Sequence, residues 1–170
     1  MMKKKTLLFL LVANGILIAL SWIMAFYSYP RLPQEMPLWV NFFSQEVILT
    51  KKSILFFLYP LVQTLFFIGF WGFSRMNLIL TLPSKNKKSS FWEKKDLFSS
   101  LRKEYIYLNL IFFNLIFIHL QKTIILLAHG IGKGVNKFYF FSVFVIILIL
   151  IPWYHLRKRL LIHKFGRGKE

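Results

Sequence analysis

Thr6–Ser28 reads TLLFLLVANGILIALSWIMAFYS, and none of its 23 residues is charged. At a rise of about 1.5 Å per residue, a helix of this length extends about 34 Å, enough to cross a hydrocarbon core about 30 Å thick. The stretch therefore predicts a transmembrane helix and decides the class of fold. Lys3, Lys4 and Lys5 precede it. A basic start also opens a signal peptide, but this run outlasts the roughly 7–15 apolar residues of a signal core. Ala19-Leu20-Ser21 is a poor cleavage site, so an uncleaved first span is expected. Gly15 and Ala19 share a face and permit a close helix neighbour, and Asn14 is expected to hydrogen-bond another helix.

Three more long apolar runs follow, in a chain of 170 residues that is 56% hydrophobic with mean hydropathy +0.55. They are Ser53–Phe73, Tyr105–Leu127 and Phe138–Leu156. The expectation is an all-α membrane protein: one domain over 1–170 with four transmembrane helices near 6–28, 53–73, 105–127 and 138–156. Pro60 is expected to kink the second span near one end. The third span is the most polar, with Asn109, Asn114, His119, Gln121 and Lys122. Asn114 and Gln121 are seven apart and nearly share a face, so the stripe is expected to line the bundle interior. Gln63 is a candidate partner for Asn14 or for the third helix. Lys122 lies near a span end, where its stem can snorkel.

The connections differ in character. Ser74–Glu104 carries eight basic residues, and Ser90-Phe91-Trp92-Glu93 fits a capping box. A basic amphipathic helix lying on the membrane and leading into the third span is expected there. Ala128–Lys137 has three glycines and suits a tight hairpin between antiparallel neighbours. Pro152, Trp153 and Tyr154 are expected to end the fourth span at an interface, followed by a basic tail at 157–170. Four spans put both termini on one side. That side holds 17 Lys and Arg and the other six, so the termini are expected in the cytoplasm of a cell membrane, facing anionic lipid. The net charge of +17 thereby finds a use without nucleic acid.

The loop from Tyr29 to Lys52, YPRLPQEMPLWVNFFSQEVILTKK, then faces outward. Pro30, Pro33 and Pro37 fix backbone angles, which makes an ordered Pro-rich extracytoplasmic loop. Leu38, Trp39, Val40, Phe42 and Phe43 are expected at headgroup level or plugging the mouth of the bundle. Tyr29, Pro30, Leu32, Pro33, Pro37, Asn41, Lys52 and Pro60 fall, without gaps, on a pattern of Tyr-Pro, Leu-Pro, Ile-Pro-x-His-x-Asn, Gly, Asp, a Lys opening the second span and a Pro shortly after. That pattern resembles a family of small bacterial membrane proteins whose domain of unknown function also begins SdpI-type immunity proteins. Met36 stands for the Ile. Trp39, Ser44 and Val47 replace the His, Gly and Asp, and the later Gly-x-Arg-Thr motif of SdpI-type proteins is absent. The resemblance implies interaction, sensing or an immunity-like role at the cell envelope, with Leu32, Pro33, Pro37, Trp39, Asn41 and Lys52 as binding candidates.

The residues offer little for catalysis. There is no cysteine, and His119, His129, His155 and His163 lack the spacing of a helical metal pair. All six acidic residues are expected in loops, connections or the tail. A non-enzymatic protein without cofactor or metal is the expectation, paired with a membrane protein partner or a second copy of itself. The alternatives are a small transport or channel component using Asn14, Gln63, Asn114, His119, Gln121 and Lys122, or a structural subunit of a larger membrane complex.

Overall fold

The computed structural model describes residues 4–40, 48–75, 90–131 and 134–166, and side chains within 5–40, 48–72, 99–131 and 134–160. Four helices dominate: α1 (Lys4–Ser28), α2 (Leu58–Arg75), α3 (Ser90–Ala128) and α4 (Lys137–Gly166). With the short 3₁₀ turns that adjoin α1 and α2, they supply four segments long and apolar enough to cross a membrane: Lys5–Arg31, Ile54–Gly72, Ser99–Ala128 and Lys137–Leu160. The chain is thus a multi-pass membrane protein by length and composition of its helices. Most large apolar side chains of α1, α2 and α4 are exposed, as lipid-facing residues must be, because lipid tails replace a protein core around a bundle.

Ring pairs fix the directions. Trp22 of α1 packs near Phe57 and Phe26 packs on it at 5.2 Å, while Trp22 Nε1 donates to Thr64 Oγ1. Rising numbers in α1 meet falling numbers in α2, so the two run antiparallel. Tyr59–Phe117 and Phe66–Phe113 set α2 antiparallel to α3. His119–Tyr139 and Tyr105–Tyr154 do the same for α3 and α4. The third and fourth spans are antiparallel neighbours, as their short connection requires. α3 is the central element: it packs against α1, α2, α4 and the loop between α1 and α2, and its most extensive interface is with α1.

The ends follow local chemistry. α3 closes in a Schellman motif, with Ile131 N–H bonded to Leu126 O and Gly130 N–H to Leu127 O. Gly130 has φ +67°, which a residue with a Cβ adopts only with strain. Asn136 Oδ1 then accepts from Tyr139 N–H and caps α4.

Several expectations change. α3 is one helix of 39 residues from Ser90, so the stretch before the third span is continuous with it. The side chains of the Ser90–Glu93 capping box and of Phe91 and Phe98 lie outside the described residues. Pro60 does not kink an established helix. It sits in the first turn of α2, where its missing N–H disrupts no formed ladder, and a 3₁₀ turn (Ile54–Phe57) precedes it. Pro152 does not end α4 either: the helix runs through it to Gly166 and takes up most of the basic tail. Glu104 is not in a loop. It is a buried residue of α3, treated below.

Candidate functional site

The segment between α1 and α2 forms a structured cap. α1 gives way to a 3₁₀ turn at Tyr29–Arg31, then strands β1 (Glu35–Pro37) and β2 (Leu49–Lys51) pair antiparallel. The register is Glu35 with Lys51, Met36 with Thr50 and Pro37 with Leu49. Lys52 N–H continues the ladder to Gln34 O at 2.7 Å.

The cap is bolted to the bundle from within. Leu32, Met36 and Val40 are buried with Ala25 of α1, Phe56 and Tyr59 around the start of α2, and Leu120 and Ile124 of α3. The alternation of strand side chains explains Met36 pointing inward against α3. Pro37 is also fully buried. Tyr59 donates its hydroxyl hydrogen to Leu38 O at 2.8 Å, and Thr50 Oγ1 donates to Met36 O at 3.0 Å. Trp22, Phe26, Tyr29, Phe56 and Phe57 form a continuous run of ring contacts beneath.

Lys52 is the clasp. Its Nζ donates to Pro30 O at 3.3 Å and Leu32 O at 3.0 Å, and lies 4.9 Å from the centre of the Tyr29 ring. A cation suits this position, because carbonyls at a helical C-terminus lack intrahelical donors and carry partial negative charge. Arg31 covers the Tyr27 ring at 3.6 Å. Of the binding candidates, Leu32 and Pro37 are therefore core residues of the cap and Lys52 is its clasp, while Pro33 is exposed. Trp39 is 68% exposed, so it does not plug the bundle; Met36 and Val40 occupy that position. Asn41, Phe42, Phe43, Ser44 and Val47 lie outside the described residues. Ile48, at 74%, and Leu49 add exposed apolar surface to the cap.

The polar stripe of α3 divides. Asn114 Nδ2 donates to Asn14 Oδ1 at 3.0 Å, and Asn14 Nδ2 donates to Tyr107 O at 3.0 Å and to Leu10 O at 2.8 Å. One heptad on, Ser21 Oγ donates to Gln121 Oε1 at 2.7 Å, and Gln121 Nε2 donates to Ser21 O at 3.2 Å. The two rungs have the same sequence offset of 100, which fits parallel helices in constant register. All four residues are fully buried. His119 instead faces α4, stacked on Tyr139 with ring centres 4.1 Å apart, and Lys122 is exposed. Gln63 is buried on α2 but makes no hydrogen bond to Asn14 or to α3.

A feature that sequence reading missed lies at the opposite end of α3. Arg157 Nη1 of α4 donates to both carboxylate oxygens of Glu104 at 2.9 Å. Arg157 also lies 5.0 Å from the Trp153 ring, and Tyr105 packs on Tyr154 at 4.7 Å. The nearby Arg102 and Lys103 disguised Glu104 as part of a solvated charge run. The signal that could have found the pair is an acid within a helical stripe, Leu101–Glu104–Tyr107, otherwise apolar. Among the described residues, no three His, Asp or Glu side chains converge as a metal site would require. In comparisons with known proteins, the chain matches no family model, no curated protein and no solved structure.

Proposed function

We propose that this chain is a non-enzymatic protein of the bacterial cell membrane, with both termini cytoplasmic, that presents its cap to a protein partner at the outer face. One observation carries the reading: the cap is anchored by buried Leu32, Met36 and Val40 and clasped by Lys52, yet it holds Trp39 out at 68% exposure. A large aromatic on a fixed support loses little freedom on binding, and tryptophan is enriched among residues that dominate interface energies. The pattern from Tyr29 to Pro60, which resembles the domain at the start of SdpI-type immunity proteins, supports an interaction, sensing or immunity-like role. The basic cytoplasmic side attracts anionic lipid and sets the orientation.

A transport or channel component would need the polar stripe free to line a path. Asn14, Asn114, Ser21 and Gln121 are instead buried against one another between α1 and α3, which favours a helix seam over a pore. Copurification from native membranes tests the proposal and separates it from a constitutive subunit. A partner recovered with the native chain and lost with Trp39→Ala or Asn41→Ala is expected. Recovery unaffected by both substitutions removes the cap as the docking surface and leaves a structural subunit.

A further inference from the structure

Gln63 is fully buried in α2, and neither its Nε2 nor its Oε1 has a hydrogen-bond partner. A buried polar group left unpaired bears its full desolvation cost with nothing to offset it. Inside a bilayer no bulk water is at hand to relieve that cost. Most buried side-chain polar atoms do have a partner, in protein or in ordered water, so this amide calls for one.

Its surroundings follow from its own stripe. Tyr59, Gln63 and Phe66 are spaced four and three apart and so share one face of α2. Tyr59 packs on Phe117 with centres 6.3 Å apart, and Phe66 on Phe113 at 4.5 Å. Gln63 therefore meets α3 between Phe113 and Phe117, at the depth of Asn114. The adjacent Thr64 is held by Trp22 of α1 at 3.0 Å, which puts Gln63 in the interior where α1, α2 and α3 meet. Asn114 offers a further unpaired atom at that level of α3. Its Nδ2 is committed to Asn14, but its Oδ1 is buried without a partner. The unpaired Nε2 of His119 belongs elsewhere, on the α4 side with Tyr139 and Phe140.

We propose that Gln63 and Asn114 form an internal water site joining the three central helices. The free groups are one amide donor and two carbonyl acceptors. Water matches them because each molecule both accepts and donates. One molecule accepting from Gln63 Nε2 and donating to Asn114 Oδ1 links α2 to α3 and, through Asn14, to α1. A second serves Gln63 Oε1. A cation fits poorly: the amide hydrogens of Gln63 would oppose it. Among the described residues of the spans the only carboxylate is Glu104, already engaged by Arg157. The site is independent of the docking role of the cap. It ties Gln63 of α2 to the seam through exchangeable solvent, beside the direct bond from Trp22 of α1 to Thr64.

The test is water-edited solid-state NMR on the full-length protein in lipid bilayers, with side-chain amides labelled and the Gln63 signal assigned through Gln63→Leu. Gln63 is expected to receive water magnetisation comparable to that of the exposed Asn136. Gln121, whose oxygen and nitrogen are both bonded to Ser21, is expected to stay dry. Asn114→Leu is expected to abolish most of the transfer to Gln63. A Gln63 amide as dry as Gln121 in the unmodified protein overturns the site, and transfer unchanged by Asn114→Leu overturns the bridge.

Discussion

Asn14 and Asn114 are the pair through which the role of the polar stripe is best measured. Replacing Asn14 with Leu deletes the acceptor for Asn114 Nδ2 and the donor to Tyr107 O. Interhelical hydrogen bonds in membranes contribute about 0.6 kcal/mol on average and up to about 1.7. The larger effect is on what remains: Asn114 Nδ2 would be buried without the acceptor it now uses, a cost of about 1–3 kcal/mol. Asn114→Leu alone orphans Asn14 Oδ1 in the same way, although Asn14 Nδ2 keeps its two backbone carbonyls. The double replacement removes both orphans and puts apolar side chains into an apolar interior, so it costs less than the two singles together. The expected coupling is about 1–2 kcal/mol, read as a double-mutant cycle from reversible unfolding of the purified protein in mixed micelles. Additive effects would mean that the two amides do not share a bond.

Three further outcomes follow from the packing. Met36→Ala empties a fully buried site between β1 and α3 and should destabilise the cap by about 2–5 kcal/mol, seen as faster hydrogen exchange at the Lys52 amide bonded to Gln34 O. Glu104→Gln should loosen the terminal end of α4 by about 1 kcal/mol, given that Arg157 is about a third exposed. In this cysteine-free chain, the disulfide between Tyr105→Cys and Tyr154→Cys should then form more slowly, and an unchanged rate would count against the ion pair as the clamp. A reporter fused after Gly134 should read as extracytoplasmic, and a cytoplasmic reading would invert the orientation.

How far the fold was legible depended on how far each signal reached along the chain. The four spans announce themselves because an apolar run of about 20 residues with at most one charge has few other uses. Asn114 and Gln121 were recognisable as one face from their spacing of seven. Their partners were not, because Asn14 and Ser21 lie 100 residues away and no local pattern matches them. Glu104 was misplaced for the same reason: its partner Arg157 is 53 residues on. Pro60 and Pro152 show the limit of proline as punctuation. In the first turn it costs no hydrogen bond, and within a membrane helix local adjustment accommodates it. In the cap, the prolines indicated order but not the strand pair, since a three-residue strand containing Pro37 carries no alternating run to read.

If the cap is a fixed support that presents Trp39 to a partner protein, as proposed, Trp39 touches that partner and Met36 does not. Site-specific photo-crosslinking in living cells tests it most directly, with the reactive group placed at position 39 or, as the internal control, at position 36. One discrete intermolecular protein adduct is expected from position 39 and none from position 36, whose side chain is fully buried. Adducts from position 39 only to lipid, or equal protein adducts from both positions, would contradict it.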